Sequence, residues 1–200
     1  TIHVVRRGDT LQAIAARHGS TISAIETANP DVTADNLPIG RRLIVPLPFD
    51  VVPTGVPYSH ALNTILIDGL TARYPFLFKE DVGTSVMGRP LTVIGLGRGG
   101  TEVFYNASHH ANEWITSTLV MRYLENYCKA IVSGSQIGGY EANALFETIR
   151  LYLLPLVNPD GVDLVKGALS PSDAYYKRAA VLSEFYPSIP FPSGWKANID

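Results

Sequence analysis

His110-Ala111-Asn112-Glu113-Trp114 sets an imidazole and a carboxylate three residues apart. The segment before it, Glu102-Val103-Phe104-Tyr105-Asn106-Ala107, reads as a strand, and the segment after it, Ile115 to Tyr127, reads as a helix. On a helical turn, residues three apart share a side, so both groups can reach one metal ion. Zinc held by His, Glu and one more His, with water in the open position, is a hydrolytic site. An HxxE pair also arises by chance in many proteins, so its surroundings decide its meaning. This pair falls at a strand-to-helix junction, where α/β enzymes commonly put their chemistry. Downstream, Leu151-Tyr152-Leu153-Leu154-Pro155-Leu156-Val157 runs into Asn158-Pro159-Asp160-Gly161, the pattern of a buried parallel strand ending in a turn. The expected fold class is α/β.

The 200 residues suit one ordinary domain, or a small one joined to a larger one. A hydrophobic fraction of 46% is that of a core-forming globular protein. Net charge is −2, with no basic block and no acidic tail, which argues against nucleic acid or an anionic membrane surface as partner. The single cysteine, Cys128, excludes an internal disulfide and a CxxC zinc cluster, and reads as a small buried hydrophobe. No apolar stretch approaches a membrane span. Thr1-Ile2-His3-Val4-Val5 shows no signal peptide, so the expectation is that a signal was removed or that none is used.

Residues 1–46 read as a separate unit. Ile2, Val4 and Val5 predict a short strand, and Arg7-Gly8-Asp9-Thr10 a turn that can cap a helix. Leu11, Ile14, Ala15 and His18 lie at helical spacing, with Gly19 as the stop. Thr21 or Ser23 can start a second helix carrying Ile22, Ile25 and Ala28, which Asn29-Pro30 ends. Gly40 to Pro46 predicts a closing strand. Residues 47–57 form a proline-rich linker, stiff and extended, whose apolar residues predict packing on the second domain.

From Tyr58 onward a second domain, residues 58–200, is expected. Leu62 to Tyr74 predicts a helix. Phe76 to Thr84 and Pro90 to Leu96 predict a hairpin around Met87-Gly88-Arg89. Glu102 to Asn106 predicts another strand, Ile115 to Val132 a helix with a strong apolar stripe, Gly138-Gly139 a break, Ala142 to Thr148 a short helix and Arg150 to Val157 a strand. Beyond Gly161 the pattern is that of a long irregular loop.

The N-terminal unit resembles the LysM domain through Val4-Val5-Arg6-Arg7-Gly8-Asp9-Thr10-Leu11, Ile14-Ala15, His18-Gly19, Asn29-Pro30, Leu37-Pro38-Ile39-Gly40 and Leu43-Ile44-Val45-Pro46. That resemblance implies binding of N-acetylglucosamine-containing glycan, in peptidoglycan or chitin. The groove would lie between two loops here spanning Gly8, Asp9 and Thr10, and Asn29 and Pro30 through Ile39. One repeat offers little surface, so weak affinity is expected.

The second segment resembles the zinc carboxypeptidase family, carboxypeptidase A-like. The matching motifs are Tyr74-Pro75, Gly83-Thr84-Ser85 with Gly88-Arg89-Pro90, His110-x-x-Glu113-Trp114, and Asn158-Pro159-Asp160-Gly161. The resemblance implies a mixed-sheet α/β domain and Zn2+ as cofactor. It makes His110 and Glu113 the first two zinc ligands and His109 a supporting residue. Digestive members usually carry Arg where this chain has Asn112, which changes the substrate-binding position. Asn112 beside a LysM unit resembles the bacterial γ-D-glutamyl-L-diamino acid endopeptidases, which cut peptidoglycan stem peptides. Trp195-Lys196 falls where the family has Trp-Arg, so Lys196 is the candidate for polarising the scissile carbonyl.

None of the five histidines follows the Asn158–Gly161 segment, so the family's third zinc ligand and its general-base glutamate are expected outside this chain. The chain is therefore expected to be a fragment, with the remainder on another chain or missing. The implied partners are a peptidoglycan stem peptide and N-acetylglucosamine-containing glycan. The implied location is the bacterial cell wall or the secreted fraction, with the cytoplasm of a sporulating cell as the alternative. An inactive wall-binding protein and a zinc carboxypeptidase acting on ordinary C-terminal residues are the rival readings.

Overall fold

A computed structural model of the chain describes residues 1–188 and 190–192. In the N-terminal unit, β1 (Ile2–Val4) pairs antiparallel with β2 (Arg42–Ile44), with α1 (Leu11–His18) and α2 (Ile22–Ala28) between them in sequence. Thr10 and Thr21 each cap a helix, accepting the amides of Ala13 and Ala24 at 3.1 Å; such a cap contributes about 1 kcal/mol. Leu11, Ile14, Ile25, Val32, Leu43 and Val45 form a core of their own. The strand β1 turns an unexpected side inward: Ile2 and Val4 are about half exposed, while His3 is buried.

The second unit comprises α3 (His60–Arg73), β3 (Phe78–Thr84), β4 (Pro90–Gly97), β5 (Thr101–Asn106), α4 (Ile115–Ser133), β6 (Gln136–Ile137), β7 (Tyr140–Glu141), α5 (Ala142–Thr148), β8 (Ile149–Leu154), α6 (Pro159–Val165) and α7 (Ala174–Ser183). Its main sheet has the order β3-β4-β8-β5. The sheet is mixed: β8 runs antiparallel to β4 and parallel to β5. Register places Ile94 opposite Leu153, Leu96 and Val103 opposite Leu151, and Tyr105 opposite Leu153, so these side chains share one face. That face joins Leu66, Ile67 and Leu70 of α3 and Met121, Leu124 and Cys128 of α4 in one core. Burying the Cys128 thiol there pushes its pKa up.

The linker is docked rather than free. The fully buried Glu125 accepts the amides of Val51 and Val52 at 2.7 and 2.9 Å, flanked by Arg73 and Arg122 at 3.7 Å. Arg73 donates to the Phe49 carbonyl at 2.8 Å, and Asp50 pairs with Arg122 and Lys129. Those two cations hold the Asp50 carboxyl below the usual carboxylate range.

Three local expectations are corrected. Asn158-Pro159-Asp160-Gly161 is the start of α6 rather than a simple turn: Pro159 stands in the first turn, where its missing N–H costs nothing. Residues beyond Gly161 are not all irregular, because α7 follows. Its buried stripe is only Tyr175 and Ala179, one contact per turn, too thin to stand out between flanking prolines. Gly138-Gly139 is a hairpin turn joining β6 to β7; both residues have positive φ, at 59° and 84°, as such a turn demands.

Candidate metal centre

The parallel strands β5 and β8 both end at the same edge of the sheet, the side where α/β folds leave room for ligands. Their continuations are laced together. Ala107 donates to the Leu154 carbonyl, Val157 to Ala107 and Asn158 to Ser108, each at 3.0 Å. Ser108 has φ 54°, and it is the one non-glycine residue with positive φ among the described residues. That conformation costs on the order of 1–2 kcal/mol. It is held by a buried network: the Ser108 amide donates to Thr116 Oγ1 at 2.9 Å, its hydroxyl meets Ser117 Oγ at 2.6 Å, and Ser117 donates to the Pro155 carbonyl. The bend delivers His109 and His110 to the sheet edge.

His110 is extended and immediately precedes a 3-10 turn, Ala111–Glu113, closed by the Glu113 amide on the His110 carbonyl at 3.0 Å. The pair therefore sits on this tight turn ahead of α4, not on the helix itself. Both side chains are exposed. His109 is engaged elsewhere: its Nε2 meets Asn106 Oδ1 at 2.7 Å, and its carbonyl accepts Asn158 Nδ2 at 3.2 Å. Asn112 is half-buried, and its Oδ1 is buried with no hydrogen-bond partner among the described residues. The Lys166 ammonium lies 4.4 Å from the centre of the Trp114 ring and braces the turn from the α6 side. Lys196 lies outside the described residues.

Behind the turn is a charged cluster. Asp160, 2% exposed, accepts Ser85 Oγ and the Met87 amide, both at 2.9 Å. Arg89 Nη1 forms an ion pair with Asp163 at 2.7 Å and donates to the Pro159 carbonyl at 3.0 Å. Asp163 also accepts the His60 amide at 2.9 Å. Burial, reinforced by the Arg89 cation, lowers the His60 pKa, with Asp163 and Asp160 opposing. The sequence marked Ser85, Arg89 and Asp160 only as family landmarks. Their mutual contact spans some 70 residues and leaves no local periodic signal.

His110 and Glu113 fit the nitrogen-and-oxygen donor set of hydrolytic zinc sites, and both stand at the surface on one turn. Among the described residues no group of three His, Cys, Asp or Glu side chains forms a metal site.

At the other end of the chain, Gly8 has φ 88° and is exposed, Thr10 is spent on its cap, and Ile39 is 69% exposed. Asp9 is tied to His3 Nε2 at 2.8 Å and to the Arg6 amide at 2.9 Å. Pro30 is exposed, whereas Asn29 is buried with its side chain fully used: it donates to the Ile25 and Ile44 carbonyls and accepts the Ile44 amide. Asn29 thus braces its loop from inside. Among the described residues, no helix is long and apolar enough to cross a membrane.

The zinc carboxypeptidase family model matches residues 64–178, more than half of the chain, and the LysM domain model matches residues 3–46. The chain belongs to the zinc carboxypeptidase family. It is 36% identical over 143 residues to gamma-D-glutamyl-L-diamino acid endopeptidase 1 of Lysinibacillus sphaericus, covering 72% of this chain and 35% of that one. It is 37% identical over 129 residues to the YqgT protein of Bacillus subtilis (strain 168), covering 64% and 34%. Among solved structures, bovine thrombin-activatable fibrinolysis inhibitor matches with a TM-score of 0.48 at 21% identity, over 60% of this chain and 40% of that one. The chain spans about a third of the length of the curated relatives it matches.

Proposed function

We propose that this chain is the glycan-binding and metal-ligating part of a zinc peptidase that hydrolyses the γ-D-glutamyl–diamino acid bond of peptidoglycan stem peptides at the bacterial cell wall. Residues 1–46 act as the LysM glycan-binding domain, 47–57 as the linker, and 58–200 as the N-terminal part of the peptidase domain. The observation that carries the reading is the joining, in one chain, of a LysM match to a zinc carboxypeptidase match. The identity with a named γ-D-glutamyl-L-diamino acid endopeptidase supports the choice of bond.

When bound, zinc supplies Lewis acidity for hydrolysis. His110 and Glu113 would hold it, and Ser108 and Asn158 fix the backbone just before them. Asn112 stands next to Glu113 with an inward-facing amide oxygen that lacks a donor. That oxygen is enclosed by the protein, so the bearing of Asn112 on substrate lies in the charge it lacks. An amide brings no fixed positive charge, whereas an arginine there favours a free C-terminal carboxylate. Lys196 supplies a cation for the developing oxyanion.

The deciding experiment gives the complete zinc-loaded protein a stem tetrapeptide and a hippuryl dipeptide, with products read by mass spectrometry. Release of L-Ala-D-Glu with little hippuryl cleavage is expected. Faster turnover of the hippuryl substrate establishes an ordinary carboxypeptidase. Zinc-loaded protein that cuts neither substrate establishes a wall-binding protein without this activity.

A further inference from the structure

The tip of the β3–β4 hairpin grips the start of α6, which is bonded to the segment just before His110. Its residues meet α6 at three successive points: Arg89 Nη1 on the Pro159 carbonyl at 3.0 Å, Ser85 Oγ and the Met87 amide on Asp160 at 2.9 Å, and Arg89 Nη1 on Asp163 at 2.7 Å. The tip is itself closed by the Arg89 amide on Ser85 Oγ at 3.1 Å. Arg89 Nη1 lies 3.6 Å from Asp160, so one guanidinium faces two buried carboxylates. Without it, two buried like charges would confront each other at the start of a helix only seven residues long.

The next residue back is Asn158. Its amide donates to the Ser108 carbonyl at 3.0 Å and its side chain to the His109 carbonyl at 3.2 Å. Those are the two residues immediately before His110. A shift of the α6 N-terminus therefore passes directly to the backbone of the candidate ligand turn.

We propose that Arg89, with Ser85 and Asp160, is a positioning unit that sets the zinc-binding geometry of the His110–Glu113 turn through Asn158. This inference rests on the reading of His110 and Glu113 as zinc ligands. Groups that orient ligands from outside typically change metal affinity 10–100-fold when lost.

The test uses the complete protein. Zinc affinity is measured by competition with a chromophoric chelator, and site geometry by the visible spectrum of the cobalt(II)-substituted protein. Arg89→Gln is expected to weaken zinc binding about tenfold or more and to alter the cobalt spectrum, and Ser85→Ala to weaken binding about threefold to tenfold. Arg89→Lys is expected to recover part of the loss, because a single nitrogen makes both the hydrogen bond to Pro159 and the ion pair with Asp163, and an ammonium can stand in its place. If Arg89→Gln does not fold, Ser85→Ala, which removes only one hydroxyl, decides alone. A folded Ser85→Ala protein with parental zinc affinity and cobalt spectrum overturns the proposal. His110→Ala separates the two levels. Zinc retained in that variant removes the ligand reading itself. Zinc lost there but untouched by Ser85→Ala removes only the positioning role.

Discussion

At the scale of single residues, two adjacent histidines are placed differently. His109 is tied to Asn106, while His110 stands at the start of the 3-10 turn that also carries Glu113, the arrangement the proposed ligand pair requires. In the complete protein, His110→Ala or Glu113→Ala should therefore remove most bound zinc, and His109→Ala should keep it. Metal analysis of the three purified variants checks this, and full occupancy in the His110 variant would overturn the assignment. Asp9 gives a pH-dependent prediction. Its hydrogen bond with His3, together with the Arg6 amide, lowers its pKa from the ordinary 3.8. A carboxyl with a depressed folded-state pKa contributes stability that is present above the unfolded value and lost as pH falls through the folded one. Asp9→Asn should thus lower the unfolding temperature of the N-terminal unit at pH 5–6. The difference should shrink as pH drops below about 3.8. A gap that persists at pH 2 would mean the amide perturbs packing instead. The candidate pair His110 and Glu113 stood out in the sequence because two residues at fixed spacing carry its proposed chemistry, and the structure sets both on one turn. The inward turn of His3 was not, since a His between Ile2 and Val4 looks like the polar face of a strand until its partner Asp9 is seen.

At the scale of elements, α6 is the piece the sequence obscured most. A proline and a glycine are usually punctuation, and here they are the first and third residues of the helix itself. The glycine has a specific reason. A Cβ at residue 161 would fall 2.6 Å from Asn158 Nδ2 and 2.8 Å from its Oδ1. Asn158 accepts the Gly161 amide at 2.8 Å while donating to His109, so any side chain at 161 must displace it. Gly161→Ala should destabilise the fold by about 1–3 kcal/mol. Combined with Asn158→Ala it should cost less than the sum, since both remove the same contacts. Denaturant unfolding of the two single variants and the double variant tests this, and strict additivity would reject the coupling. By contrast, α4 and α5 match their predicted spans within a residue. For α4 the reason is a wide apolar stripe buried in the large core, a helix-period signal strong enough to be read locally.

At the scale of the whole molecule, the two-part composition was legible because each part carries its own motifs, and each has its own core. The mixed direction of the sheet followed from the family resemblance and not from the local pattern. An apolar run such as Leu151–Leu154 looks alike whether its neighbours are parallel or antiparallel, and here it has one of each. Because the small core is self-contained, residues 1–46 are expected to fold alone and bind N-acetylglucosamine oligomers weakly. Chemical shift changes should centre on Gly8 to Thr10 and on the 29–39 loop, with the exposed Ile39 prominent. Changes confined to the opposite face, or none at millimolar sugar, would reject the glycan assignment.

The docked linker carries a consequence for reach. A free chain of a dozen residues would let a glycan-gripping unit wander through a sphere, and its target bond could lie anywhere within that volume. Glu125 instead fastens the chain at Val51 and Val52, only a few residues after the small core ends at Val45. The small unit also rests on the large one, since α2 packs on α3 and α4. On the proposed function, where the small unit grips a strand would limit which neighbouring peptide the large unit can meet, and the spacing of cuts would follow from the fold rather than from chance encounter.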